Sequence, residues 1–233
     1  MKAVLLAAGA GVRLRPLTDG TPKCLLEFGG RSLLDRWLDA CAGAGVDEVL
    51  VNLHHLADAV RSALGSRRGA PTVRTVLEPE LLGSAGTLRA NRRWLEHDDV
   101  FLVCNADNLT DFDLRDLLAF HRRGGTHASV VAFRAGEPSA CGILDVDPAG
   151  RMVGFAEKPR RPRSNLANAG IYAFHPAVLD ELRGRPPLDI AYDLLPTLVG
   201  EARVMEFGGY LLDVGTPSAY RRARLEWGGA PVR

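Results

Sequence analysis

The sequence predicts an α/β domain in which a mixed, mostly parallel sheet is flanked by helices, with a small β-rich part in its second half. Three observations carry this expectation. Apolar runs without polar alternation, such as 3–8 and 100–104, suit strands covered on both faces. In the first 125 residues such runs alternate with segments of helical spacing, and strands joined through helices need crossovers, nearly always right-handed, that lay them parallel. After Arg123 the apolar runs shorten and turn signals separate them, as in a hairpin and mixed strands.

Taken in order, the run 3–8 opens the sheet. Ser32 caps a helix whose Leu33, Leu34, Trp37, Leu38 and Cys41 share one face and which ends near Gly43 and Gly45. A strand at 48–52, a helix at 57–64, a strand at 73–77, a helix at 87–94 and a strand at 100–104 continue the alternation. Asp111 and Asp113 read as caps of the next helix. In the second half, strands are expected at 128–133, 143–146, 152–155, 169–174 and 211–214, with a turn at Asp147-Pro148-Ala149-Gly150. Helices are expected at 177–182, 191–199 and 218–227.

At 233 residues, 46% of them apolar, the chain can bury a large core, and it reads as one domain over 1–233 with halves at 1–125 and 126–233. A net charge of +1 gives no global field for nucleic acid or an anionic membrane, so an anion site has to be built locally. Cys24, Cys41, Cys104 and Cys141 are scattered without metal-ligand spacing, and Met1 leads straight into a strand, which points to a reducing cytoplasm. The apolar runs fall far short of the ~20 residues a membrane-spanning helix needs.

The first strand ends in Leu6-Ala7-Ala8-Gly9-Ala10-Gly11-Val12-Arg13-Leu14, and Thr21-Pro22-Lys23 follows. Glycines let backbone N–H groups approach phosphate oxygens, and Arg13 and Lys23 offset the charge of a polyphosphate. The dinucleotide fingerprint fails because Leu14 stands where its third glycine belongs. Two aspartates, Asp107 and Asp213, each follow an apolar run, and two carboxylates with substrate phosphates suffice to hold Mg²⁺. Taken singly, each aspartate reads equally well as a cap or turn residue, and Glu157-Lys158 as a solvated ion pair. His54 and His55 lack convergent partners and read as structural, and 160–163 as a solvated loop.

The string from Leu6 to Thr18, followed by Pro22-Lys23-Cys24-Leu25-Leu26, resembles the signature of sugar-1-phosphate nucleotidyltransferases. The resemblance continues in order through Leu82-Gly83-Ser84-Ala85-Gly86-Thr87, Asn105-Ala106-Asp107, Glu157-Lys158-Pro159, Asn168-Ala169-Gly170 and Asp213-Val214-Gly215-Thr216-Pro217. It implies a Rossmann-like fold of the nucleotide-diphospho-sugar transferase type. The first half would then bind nucleotide and the second the sugar phosphate. It further implies that Leu6, Ala7, Ala8, Gly9, Gly11, Gly83, Ser84 and Gly86 bind an NTP, that Arg13, Lys23 and Lys158 serve catalysis, and that Asp107 and Asp213 carry Mg²⁺. Gly142, Glu157 and Asn168 would meet the sugar.

The segment 82–87 is closest to mannose- or heptose-1-phosphate guanylyltransferases and some uridylyltransferases, so GTP is the expected donor with UTP second. Asn105-Ala106, Cys141-Gly142 and Tyr210-Leu211-Leu212 depart from the family's usual residues around the sugar pocket. The chain lacks the C-terminal β-helix of many relatives and reads as a stand-alone catalytic domain, a monomer or homodimer. Two alternatives stay open. One is a phosphocholine-type cytidylyltransferase, which would leave Glu157-Lys158 and Asn168 without a sugar. The other is a non-catalytic nucleotide-sugar sensor, which usually lacks one of the charged residues present here.

Overall fold

The computed structural model describes residues 1–65, 67 and 69–227, so residues 228–233 of the expected domain lie outside the described residues. The first half of the chain forms β1 (Lys2–Leu6), β2 (Glu27–Phe28), β3 (Arg31–Ser32), α1 (Leu33–Gly43), β4 (Glu48–Leu53), α2 (Ala57–Gly65), β5 (Thr72–Leu77), α3 (Ser84–Ala90), α4 (Arg92–Leu95), β6 (Phe101–Asn105), β7 (Asn108–Thr110) and α5 (Leu114–Gly124). The second forms β8 (Ala128–Arg134), β9 (Gly142–Val146), β10 (Met152–Glu157), β11 (Leu166–Phe174), β12 (Ala202–Glu206), β13 (Leu211–Asp213) and α6 (Pro217–Trp227). This is the α/β class the sequence predicts, with mixed strand pairing and flanking helices.

The chain divides into two compact units that interleave in sequence rather than parting at one point near residue 125. Among the described residues, one comprises those of Ala3–Glu80, Asn105–Asp113 and Gly209–Trp227; the other comprises Met1–Lys2, Leu81–Cys104 and Leu114–Gly208.

In the first unit β1 neighbours β4, and β4 pairs parallel with β5 in the register Asn52 to Val76 and Leu53 to Leu77. Val49, Leu50 and Val51 are fully buried in sequence, as a strand covered on both faces requires. Helix α1 starts where expected: Ser32 Oγ accepts from the Asp35 amide at 3.0 Å. Its predicted face, Leu33, Leu34, Trp37, Leu38 and Cys41, is the buried one. Trp37 Nε1 donates to the carbonyl of Asn108 at 3.0 Å, which joins α1 to β7. A separate cluster of Leu14, Leu26, Phe28, Leu33, Leu109, Val214 and Ala223 packs under the loop after β1, with Tyr210, Leu212, Tyr220 and Trp227 at its margin.

In the second unit β11 is the central strand, antiparallel to β6, β8 and β9, while β12 lies parallel to β8. Helix α5 buries Leu114, Leu117, Leu118 and His121, an i, i+3, i+4, i+7 stripe. The turn at Asp147 forms as predicted, its Oδ1 accepting from the amides of Ala149 and Arg151 at 2.9 Å each.

Several elements differ from expectation for identifiable reasons. The helix expected at 87–94 begins at Ser84 and breaks at Asn91, whose Nδ2 donates to the Thr87 carbonyl at 2.9 Å. The stretch expected as a helix at 191–199 is a π-turn (Ile190–Leu194) followed by a 3₁₀ turn (Leu195–Leu198), because Pro196 has no N–H to extend an α-helical ladder. The helix expected at 177–182 is likewise a 3₁₀ turn, Pro176–Glu181. Asp111 does not cap α5: its Oδ1 accepts from the Tyr210 amide at 2.8 Å and its own amide donates to the Tyr210 carbonyl. Strands β2, β3, β7 and β12 are unpredicted; the first three have only two or three residues, too few for a period to register.

Two measurements test this packing. Ser32→Ala removes the cap of α1 and is expected to cost about 1 kcal/mol, lowering Tm by about 2–4 °C in thermal unfolding. Cys24, Cys41 and Cys104 are buried, and burial pushes the Cys24 and Cys41 thiols up to about 12, whereas Cys141 is partly exposed. A thiol-reactive dye at pH 8 is expected to label one cysteine rapidly in the native protein and all four after unfolding; two or more fast thiols would contradict this burial.

Candidate functional site

The first unit brings Arg13, Lys23, Asp107 and Asp213 together. Strand β13 pairs antiparallel with β7 so that Leu211, Leu212 and Asp213 face Thr110, Leu109 and Asn108. Asp107 immediately precedes Asn108, so this register sets the two aspartates side by side at one end of a short ribbon. Leu109 and Val214, both fully buried, anchor that end in the core beneath it.

Lys23 reaches the same point from the 3₁₀ turn Lys23–Leu25. Its Nζ lies 2.7 Å from Asp107 Oδ2 and 2.8 Å from Asp213 Oδ1. The lysine side chain is 9% exposed, against 37% and 53% for the aspartates, so its charge is the one that needs pairing inside the protein. Burial by itself would lower the Lys23 pKa, but the attraction and hydrogen bonds of the two carboxylates outweigh it and the pKa is raised. That contribution to stability is complete below the pKa of a free lysine and is lost only as the pH climbs through the higher folded value. Arg13 is more loosely attached, its Nη2 being 3.8 Å from Asp213 Oδ2 and its side chain 70% exposed, which leaves the guanidinium available to a ligand.

Two residues with no assigned role shape this cluster. A Cβ on Gly215 would stand 2.9 Å from Arg13 Nη2, from Asp213 Oδ1 and from Lys23 Nζ, so a side chain there would push these three charged ends aside. Thr18, 1% exposed, donates its hydroxyl to the Gly11 carbonyl at 2.8 Å and closes the loop after β1. Gly11 has φ +62°, and a Cβ there would stand 2.9 Å from Thr18 Cγ2, so this glycine is required by the turn. Gly9 differs: its φ is not positive and a Cβ would meet nothing within 4 Å, so the fold itself does not demand a glycine. The amides of Ala7 and Ala8 are already engaged, both donating to Asn52 Oδ1. The carbonyl of Leu6 accepts from the Ala106 amide at 3.1 Å.

Among the described residues no group of three or more His, Cys, Asp or Glu side chains converges as a metal cage. Asp107 and Asp213 nonetheless offer two carboxylates aimed at one point with partly exposed oxygens. That hard, oxygen-only donor pair fits Mg²⁺, which is held by one or two carboxylates and completes its shell with water and phosphate. His54 serves the fold: its Nδ1–H donates to the Glu78 carbonyl at 2.7 Å.

The second unit carries a separate group. Gly142 opens β9 opposite Glu157 at the end of β10. A Cβ at 142 would stand 2.5 Å from Glu157 Oε2 and 2.7 Å from Phe155 Cζ, so this glycine makes room for the carboxylate. Lys158 lies 3.4 Å from Glu157 Oε1 and is the more exposed of the pair. Its φ of +46° is a left-handed conformation rare for lysine, stabilised by its amide donating to the Cys141 carbonyl at 3.0 Å.

Asn168 sits where the β11–β8 register breaks, with Gly170 at φ +69°. Its Oδ1 accepts from the Gly170 amide at 3.0 Å and its Nδ2 donates to Tyr172 Oη at 2.7 Å. Burial pushes the Tyr172 phenol up, with the carboxylates of Asp189 and Glu157 adding to the rise. Gly83, Ser84 and Gly86 grip Leu188: the amides of Ala85 and Gly86 donate to its carbonyl at 2.9 and 3.1 Å, and a Cβ on Gly83 would run into that carbonyl oxygen. Ser84 Oγ is engaged as well, donating to Asp189 Oδ2 and accepting from the Ile190 amide.

The relatives of the chain agree with this architecture. A mannose-1-phosphate guanylyltransferase catalytic subunit beta from Xenopus tropicalis is 34% identical over 226 residues, covering 94% of this chain and 62% of that protein. A mannose-1-phosphate guanyltransferase from Pichia angusta is 35% identical over 227 residues with the same coverage. The chain therefore spans 62% of the length of these curated relatives. Among solved structures, a chain from Bacillus anthracis described as a glucose-1-phosphate thymidylyltransferase superposes with TM-score 0.85 at 22% identity, covering 99% of this chain and 96% of that one. HddC from Yersinia pseudotuberculosis, complexed with GMP-PN, superposes with TM-score 0.79 at 22% identity, covering 97% and 98%. These two establish the Rossmann-like fold. The family model described as Nucleotidyl transferase matches residues 2–227, and the chain belongs to that family.

Proposed function

We propose that the protein transfers a nucleoside monophosphate from an NTP to a sugar 1-phosphate, giving an NDP-sugar and pyrophosphate. The observation that carries this reading is the Lys23 ammonium held between Asp107 and Asp213 beside Arg13. Two cations and two carboxylates make a cluster of no net charge, so further positive charge arriving with a triphosphate would strengthen its binding. Mg²⁺ on Asp107 and Asp213 would supply that charge and neutralise charge on the transferred phosphoryl group.

The chain's own residues would do the rest. Arg13 and Lys23 would hold the triphosphate oxygens, and the absence of a side chain at Gly9 would let the backbone approach them. Lys158, turned off its strand by its left-handed backbone, would orient the sugar phosphate, while Glu157 and Asn168 would accept and donate hydrogen bonds to sugar hydroxyls. No protein base is required, because a phosphate monoester with a second pKa of about 6 is already mostly dianionic at neutral pH. Its oxygen attacks the α-phosphorus, a new P–O bond forms, and the bond to the β-phosphate oxygen breaks with pyrophosphate carrying away the electron pair.

GTP is the favoured donor with UTP second, because the curated relatives are guanylyltransferases and HddC was solved with GMP-PN. The same relatives make mannose 1-phosphate the first acceptor to try. Cytoplasmic work as a monomer or homodimer accompanies this reading. Among the described residues no helix is long and apolar enough to cross a membrane.

Pyrophosphate release with Mg²⁺ across a grid of NTPs and sugar 1-phosphates, with phosphocholine as an added acceptor, tests the proposal. Release is expected with GTP or UTP and one sugar 1-phosphate. Lys23→Ala and Asp107→Ala are expected to lower kcat about 100-fold or more, each removing charge stabilisation at the transferred group. Release only with CTP and phosphocholine, or near-normal turnover in both variants, would sink it.

A further inference from the structure

Asn52 and Glu78 have no part in the site as drawn so far, yet they are among the most buried polar residues of the chain, 4% and 2% exposed. Asn52 is near the end of β4, and Glu78 is one residue past β5, where its amide donates to the Leu53 carbonyl at 2.8 Å. Because β4 and β5 run parallel with Asn52 opposite Val76, the Glu78 side chain reaches the Asn52 amide from beside it, and Asn52 Nδ2 donates to Glu78 Oε1 at 3.0 Å. The other end of that amide points at the loop after β1: Asn52 Oδ1 accepts from the amides of Ala7 at 2.7 Å and Ala8 at 3.2 Å.

We infer that Asn52 is a positioning residue for the nucleotide loop and that Glu78 sets which end of its amide faces that loop. The inference deepens the proposed function and rests on it. An asparagine amide has nearly the same shape in its two orientations, but one presents an acceptor and the other two donors. Facing the Ala7 and Ala8 amides, only the oxygen end forms bonds. A Glu78 oxygen at 3.0 Å accepts only from the nitrogen end. The acceptor at 78 therefore excludes the flipped orientation, in which the amide of Ala7 and the buried amide of Ala8 would lose their acceptor. With its first two amides pinned to β4, the loop enters Gly9 to Gly11 from a fixed direction, and Ala7 and Ala8 have only their carbonyl oxygens left to offer a ligand.

A polarity swap tests this inference. Asn52→Asp keeps the acceptor toward the loop but sets two carboxyl groups together, and Glu78→Gln replaces an acceptor-only group with an amide that can present either its oxygen or its nitrogen, so position 78 no longer dictates the orientation at 52. The double variant Asn52→Asp with Glu78→Gln restores a matched chain, because the new amide nitrogen at position 78 donates to the new carboxylate at position 52, which still accepts from the amides of Ala7 and Ala8. Asn52→Leu removes the bonds to Ala7, Ala8 and Glu78 without adding charge and serves should the buried carboxyl pair prevent folding. Binding of GTP, and of UTP in parallel, is measured calorimetrically with Mg²⁺ and no sugar phosphate, alongside Tm and the KM for the sugar 1-phosphate.

Asn52→Leu and Asn52→Asp are expected to weaken nucleotide binding about tenfold. The double variant is expected to return within about threefold of wild type, and the KM for the sugar 1-phosphate to stay within about threefold throughout. Wild-type affinity in Asn52→Leu, or a double variant that binds no better than Asn52→Asp, overturns the inference while leaving the proposed function standing. A folded wild-type protein that binds neither nucleotide overturns both.

Discussion

The ammonium of Lys23, placed between the carboxylates of Asp107 and Asp213, joins stretches of chain 84 and 190 residues apart. Each partner depends on the others. A lysine only 9% exposed would be costly to bury with one weak partner, and two carboxylates converging on one point would repel each other without a cation between them. Attraction prevails over desolvation here, as the raised pKa of Lys23 records. The β7–β13 register, the cluster of Leu14, Leu26, Phe28, Leu33, Leu109, Val214 and Ala223 below it, and the bare Cα of Gly215 all serve this placement. An additional methyl group at 215 would have to displace all three charges at once.

The glycines of the chain separate into those the fold demands and those it does not. Gly11, Gly83, Gly142 and Gly215 are each fixed by a left-handed φ or by a neighbouring atom that a Cβ would strike, so the protein's own packing explains them. Gly9 is left over. Its conformation suits any residue and its surroundings are open, so its lack of a side chain costs backbone entropy and returns nothing to the folded chain by itself.

Much of the fold could be read from the sequence because the elements with strong periodicity carry their own instructions. Helix α1 announces itself through Ser32 and the stripe from Leu33 to Cys41, and both are as expected in the structure. What could not be read is where short segments pair. Asn108-Leu109-Thr110 is too brief to show a period, yet its register with Leu211 to Asp213 is what brings the aspartates together. The charged residues were legible as a set through the motif they share, but not that Lys23 would sit between the carboxylates rather than beside the loop. The strand pattern marks Asn52 only as the end of a strand and does not distinguish Glu78, since nothing in local spacing tells that two amides 44 or 45 residues upstream of Asn52 need an acceptor. Asp111 was misassigned for the same reason: its partner, Tyr210, is 99 residues away.

A lysine as the central cation agrees with the role proposed for the site. An arginine there would hold a carboxylate through a rigid planar fork, well suited to a permanent bridge. A lysine presents a compact charge on a flexible stem with three donors, so it can remain near the carboxylates and still turn toward phosphate oxygens as a polyphosphate arrives. The neighbouring guanidinium of Arg13, at 3.8 Å from Asp213 and largely exposed, is already free to make that turn. With a net charge of +1 over the whole chain, the protein has no long-range field to gather such a ligand. On the proposed reading, selectivity would come at short range, from a neutral cluster whose cations would be redirected if a divalent ion took over the carboxylates.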